Sequence, residues 1–169
     1  MKNKPLEAGD KAPAFRALAV GGEYGDSGKI ISLADFTGRP VVLYFYPKDD
    51  TPGCTTQACG LRDAWKELST NIGAKNHPTA FFGVSTDSAV SHAKFIKKHN
   101  LPFPLLADDE RKIVEAYGVW VEKSMYGKTY MGTERSTFII GADGKLQAVF
   151  RKVKPAEHAE LVLAELSRK

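Results

Sequence analysis

At 169 residues, 43% of them apolar and 26% charged, the chain is long enough to bury a core without a metal or a disulfide framework. Two cysteines exclude a disulfide-dense scaffold, and a net charge of +4 spread along the chain argues against a nucleic-acid binder. Met1 to Glu7 holds no apolar leader, and no later run suits a bilayer. The expectation is a soluble, cytoplasmic protein with no membrane partner.

Strands and helices alternate along the chain. Val41–Tyr46 is a continuous apolar run of β-forming residues, as suits a central strand buried on both faces. Pro52 fits the first turn of a helix with Thr51 as its cap, and Ala58, Leu61, Trp65 and Leu68 form one face to about Leu68. Ser69 to Thr79 reads as a polar loop, and Ala80–Val84 as a second buried strand. Asp87 or Ser88 caps a helix carrying Ala89, Ala93, Phe95 and Ile96, which ends near Asn100. Pro104–Ala107 is a short strand, and Glu110 to Tyr117 is a helix stopped by Gly118. Thr137–Ile140 and Leu146–Phe150 flank Gly141-Ala-Asp-Gly144 as a hairpin, and Pro155 opens a last amphipathic helix through Leu161, Leu163 and Leu166. This order predicts an α/β fold, a mixed sheet flanked by helices, as a single domain over residues 1–169.

Cys54 falls where the strand gives way to the helix. The first-turn N–H groups there have no partner inside the helix, and the aligned peptide dipoles favour a thiolate. Cys59 follows five residues later on the same helix. Three readings stand: a redox pair with Cys54 attacking and Cys59 resolving, two small core residues, or metal ligands. The placement amid Thr, Pro and Gly favours the first. The four histidines, at 77, 92, 99 and 158, show no ligand spacing with the cysteines. In an intact α-helix, Cα atoms five positions apart are about 8–9 Å distant. A disulfide wants them within ~7 Å, so bonding the pair requires the helix to unwind.

The segment Tyr44-Phe-Tyr-Pro-Lys-Asp-Asp-Thr-Pro-Gly-Cys-Thr-Thr-Gln-Ala-Cys-Gly-Leu-Arg-Asp63 closely resembles the peroxiredoxins, specifically the bacterioferritin-comigratory or Q-type subfamily. Pro47, Thr51 and Cys54 meet the family's Pro-x-x-x-Thr/Ser-x-x-Cys pattern. Gly83-Val-Ser-Thr-Asp87, Leu105-Leu-Ala-Asp108, Tyr117-Gly-Val-Trp120 and Arg135-Ser-Thr-Phe138 extend the likeness from about Ala8 to the C-terminus. The resemblance implies a thioredoxin-like fold and a thiol peroxidase acting on hydroperoxides, with no cofactor, recycled by thioredoxin or a similar dithiol. It implies Cys54 as peroxidatic cysteine, Cys59 as resolving cysteine, Thr51 and Arg135 completing the site, and Pro47 shielding it. Arg135 brings a permanent charge and forked donors, and the Thr51 hydroxyl can accept one hydrogen bond and donate another. Backbone N–H groups near Gly53 and Cys54 supply further donors, and Gly53 lets substrate approach closely.

The chain departs from the family at Ala14, where acidic Asp is usual, and is longer around Gly21–Lys29 and Asn71–Pro78. An intramolecular resolving pair removes one reason to dimerise, so a monomer is expected. Two rivals are a thioredoxin-like disulfide oxidoreductase, disfavoured because it normally uses Cys-x-x-Cys, and a non-enzymatic binding module.

Overall fold

The computed structural model describes residues 4–70 and 79–166. A seven-stranded sheet runs in the order β2-β1-β5-β4-β3-β8-β9, and β6 and β7 form a separate two-stranded ribbon. The strands are β1 Arg16–Val20, β2 Lys29–Ser32, β3 Val41–Phe45, β4 Ala80–Ser85, β5 Leu105–Ala107, β6 Trp120–Met125, β7 Lys128–Thr133, β8 Ser136–Ile140 and β9 Leu146–Phe150. The helices are α1 Pro52–Asp63, α2 Trp65–Thr70, α3 Ala89–His99, α4 Lys112–Ala116 and α5 His158–Leu166.

At the sheet's centre β3 pairs parallel with β4 and antiparallel with β8. Every residue of β3, β4 and β8 is buried, which is why these strands are legible as unbroken apolar runs. The period-2 alternation of β3 divides the core. Val41, Leu43 and Phe45 join Ile113 and Val114 of α4 on one face. Val42, Tyr44 and Tyr46 join Cys54, Ala58 and Leu61 of α1, Phe95 of α3 and Val162 of α5 on the other. Cys54 therefore sits on the Tyr44 face. Gly83 of β4 admits that tyrosine: a Cβ there would lie 2.7 Å from the Tyr44 Cζ and 2.6 Å from Leu105 Cδ2.

The helix expected to reach Leu68 is broken at Ala64 and resumes as α2, although Ala58, Leu61 and Leu68 remain fully buried. Ser69 and Thr70 end α2 rather than opening a loop; residues 71–78 of that expected loop, and so the longer stretch at Asn71–Pro78, lie outside the described residues. Ser88 caps α3 by accepting from the Ser91 N–H, while Asp87 serves elsewhere. The buried residues of α3 are His92 and Phe95. α4 starts later than expected, because Arg111 takes a left-handed φ of 62° and the Asp108 carboxylate accepts from the N–H groups of Ile113 and Val114. Regular α5 starts at His158, three residues after Pro155, and buries Val162 instead of Leu161.

Two hairpins were not expected. β1–β2 is short, with its outer strand half exposed. It encloses the longer Gly21–Lys29 stretch, where a Cβ on Gly28 would strike the Ala19 carbonyl at 2.6 Å. β6–β7 is largely exposed and polar, so it lacks an apolar run. Its signal was the turn: Tyr126 and Gly127 both take positive φ, the two-residue pattern of a tight hairpin.

Candidate active site

α1 begins as the sequence predicts, with Pro52 in its first turn, where a missing N–H removes nothing. Thr51 occupies the cap position, but its side chain does not cap. Its hydroxyl donates to the Lys48 carbonyl at 2.8 Å, and its own carbonyl accepts from the Thr55 N–H at 2.8 Å. With its single hydrogen on Lys48, the hydroxyl retains only its acceptor lone pairs. It cannot at the same time donate to a thiolate, so the hydrogen bond it was expected to donate is spent on Lys48. Pro47 is half-buried in the connection after β3.

That connection is pinned by a buried polar network. Asp49 accepts from Tyr46 Oη at 2.6 Å and Ser91 Oγ at 2.8 Å, and its Oδ2 lies 2.7 Å from Nδ1 of His92. The Asp49 N–H in turn donates to Asp87 at 2.8 Å. Asp49, Asp87 and His92 form a cluster of metal-ligand type among the described residues, but their polar atoms meet protein partners, and neither cysteine belongs to it. The network ties the start of α1 to β4 and α3, so the position of Cys54 is set from outside its own helix.

Cys54 is buried, 2% exposed, and both cysteines are free thiols. Arg135 lies between β7 and β8, and its two terminal nitrogens divide their work. Nη2 donates to Cys54 Sγ at 3.4 Å, and Nη1 donates to Gln57 Oε1 at 2.6 Å. Behind Gln57, its Nε2 lies 3.1 Å from Nδ1 of His158, whose Nε2 lies 2.6 Å from Thr137 Oγ1. Burial, reinforced by the Arg135 charge, pushes the His158 pKa down to about 3. The ring is therefore a neutral link near pH 7. Since the Gln57 amide donates to Nδ1, the ring hydrogen resides on Nε2 and is given to Thr137.

Gly53 brings the backbone against this guanidinium: a Cβ there would lie 3.2 Å from Arg135 Nη2. The close approach predicted at Gly53 is therefore made by arginine within the folded chain. Lys123 of β6 adds a second cation; partial burial and then Arg135 lower its pKa, while Cys54 and Glu134 oppose the shift. Tyr44 Oη is buried without a hydrogen-bond partner among the described residues, and burial raises its pKa well above that of a free phenol.

The structure thus joins Cys54 and Arg135, which the sequence named, to Gln57 and His158, which it did not. Gln57 had a legible signal. It is a polar residue three positions after Cys54, on the face of α1 that carries Ala58 and Leu61. His158 had none, since its partner Gln57 lies 101 residues away. Cys59 is half-buried on α1, which is intact from Pro52 to Asp63, so the two cysteines lie on one unbroken helix.

A mixed sheet between helices, with an arginine-backed thiol at a helix start that follows the central strand, defines a thioredoxin-like thiol enzyme. Residues 8–149 match the AhpC/TSA family. The chain is 46% identical to the peroxiredoxin Bcp of Bacillus subtilis over 161 residues, covering 95% of each protein. It is 45% identical to that of Escherichia coli over 159 residues, covering 94% of each. Among solved structures, Xanthomonas campestris peroxiredoxin Q superposes with a TM-score of 0.79 at 35% identity, covering 94% of this chain and 96% of that one. A second X. campestris structure, of the bacterioferritin comigratory protein, concerns alkyl peroxide reduction; it matches with a TM-score of 0.79 at 34% identity, covering 95% of this chain and 97% of that one. The chain belongs to the peroxiredoxins, in the bacterioferritin-comigratory, Q-type group. This membership makes it an enzyme of peroxide and thiol chemistry and sets aside both the dithiol-oxidoreductase and the binding-module readings. No described helix is long and apolar enough to cross a membrane.

Proposed function

We propose that Cys54 is the peroxidatic nucleophile, acting on hydrogen peroxide and alkyl hydroperoxides, and that Cys59 resolves it. The observation that carries this reading is the Arg135 guanidinium 3.4 Å from a buried sulfur at the first turn of α1. The Cys54 thiolate attacks one peroxide oxygen; an S–O bond forms, the O–O bond breaks, and hydroxide or alkoxide leaves. Arg135 is fixed before the reaction by Gln57, so its Nη2 meets charge shifting along S–O–O without reorganising. The Thr51 lone pairs are available to a peroxide O–H, and Pro47 shields the sulfur from bulk water.

The resulting sulfenic acid condenses with Cys59 once α1 unwinds, releasing water and leaving a disulfide. An external dithiol, for which thioredoxin is our choice, then reduces that bond by exchange. The whole chain works as one domain, as a cytoplasmic monomer that binds no nucleic acid. Sedimentation at the mass of a dimer, or recovery with membranes on cell fractionation, would count against this assignment.

The test is stopped-flow peroxide consumption with a purified thioredoxin system. Cys54→Ser should abolish turnover. Cys59→Ser should allow a single fast oxidation, then accumulate sulfenic or over-oxidised Cys54 by mass spectrometry. Full activity in Cys54→Ser would refute the reading.

A further inference from the structure

Cys59 has a polar partner that the peroxidase scheme leaves unused. Its Sγ lies 3.9 Å from Nδ1 of His99, the last residue of α3. On the far side of the ring, Nε2 lies 3.2 Å from Oδ1 of Asp50, in the connection between β3 and α1. The second Asp50 oxygen accepts from Lys98 Nζ at 2.8 Å. Phe95 and Arg62 hold the residue at two further points. Phe95 meets it edge-on with centroids 5.3 Å apart, and Arg62 of α1 donates to the His99 carbonyl at 2.8 Å. The His99 side chain is only 18% exposed.

In the neutral ring, hydrogen-bond chemistry fixes the tautomer. A carboxylate only accepts, so Nε2 carries the ring hydrogen and Nδ1 turns its lone pair towards the Cys59 thiol. Thiol, imidazole and carboxylate then stand in the order nucleophile, base, orienting group, at the looser distances usual before a reaction complex forms.

We propose that His99, oriented by Asp50, is the general base that prepares Cys59 for the resolving step; this rests on the reading of Cys59 as the resolving cysteine. The Cys59 S–H gives its proton to Nδ1, and the thiolate attacks the sulfur of the Cys54 sulfenic acid. An S–S bond forms as the S–O bond breaks, and its electron pair leaves with hydroxide, which the transferred proton converts to water. The sulfenic sulfur is reduced and Cys59 is oxidised, so no further reagent enters. Asp50 and His99 both lie outside the stretch between the cysteines, so the base stays in place while that stretch loosens. The charged groups about the ring are Asp50 from the connection, Lys98 from α3 and Arg62 from α1.

The experiment uses Cys54→Ser protein, in which Cys59 is the sole thiol, alkylated by iodoacetamide from pH 6 to 9 and followed by mass spectrometry. His99→Gln should slow Cys59 alkylation near pH 7 by about tenfold and move its profile to higher pH. Asp50→Asn, which keeps the side-chain shape, should give a smaller loss of the same kind. With Cys54 present, disulfide formation after one equivalent of hydrogen peroxide should slow in the same order. Alkylation as fast or faster in His99→Gln would overturn the proposal, since a mere brace between α3 and α1 would release Cys59 when removed. If peroxide-treated unsubstituted protein forms no Cys54–Cys59 disulfide, the resolving role of Cys59 fails, and this step with it, whatever the alkylation profile.

Discussion

Arg135 meets two partners as a fork, and the proposed scheme relies on that aim as well as on its charge. One prong reaches Cys54 Sγ at 3.4 Å while the other is held by Gln57 at 2.6 Å, so the donor is aimed before peroxide arrives. Lysine retains the charge but cannot grip both partners. Arg135→Lys should therefore lower the second-order rate with hydrogen peroxide by about a hundredfold, the scale of losing one preorganised donor, as read by stopped-flow. A rate near that of the unsubstituted protein would show that the charge alone suffices. The Arg135-Ser-Thr-Phe motif made this residue legible; Gln57, which aims it, was missed although its place on the buried face of α1 was a signal.

At the scale of the element, the proposed scheme gives α1 two conflicting tasks. It must be folded to present Cys54 beside Arg135, and it must open for Cys59 to reach Cys54. Its composition suits opening. Thr56 lies exposed between the cysteines, and Gly60 follows Cys59 with open space where a Cβ would sit. Both are poor helix formers, Thr through lost rotamer freedom and Gly through backbone entropy. Replacing both by alanine should stabilise folded α1 by about 1.5 kcal/mol, equivalent to roughly tenfold in the opening equilibrium. The Thr56→Ala/Gly60→Ala protein should consequently form its disulfide about tenfold more slowly and show more sulfinic Cys54 at high peroxide by mass spectrometry. Disulfide formation at the unsubstituted rate would mean that opening of α1 does not limit resolution.

At the scale of the whole molecule, the site is tied to global stability through His158. This ring links α5 to β8 through Thr137 and to α1 through Gln57, under complete burial. Its pKa is lowered to about 3 in the fold, whereas an unfolded histidine titrates near ~6.5. Below that value the unfolded chain takes up a proton that the folded chain refuses. Acid therefore favours unfolding, and the contribution lost approaches ~1.4 kcal/mol per pH unit between ~6.5 and about 3. Urea melts between pH 5 and 7 should show the unsubstituted protein losing stability more steeply than His158→Gln as pH falls. Parallel slopes would indicate that His158 is already charged in the folded protein.

The buried runs of β3, β4 and β8, the closing hairpin, the helix start at Pro52 and the thiol at its first turn were all determined by sequence alone. Each rests on local physics: hydrophobic periodicity, turn chemistry and backbone dipoles act over a few neighbouring residues. The exposed hairpins β1–β2 and β6–β7 escaped because partial exposure removes the apolar signal. Only the tertiary structure decided that the Thr51 hydroxyl turns to Lys48 and that α1 breaks at Ala64. It alone brought Gln57 and His158 behind Arg135, and His99 and Asp50 beside Cys59. Those pairings span tens of residues and depend on which side chains the sheet's two faces bring together, which no local pattern encodes.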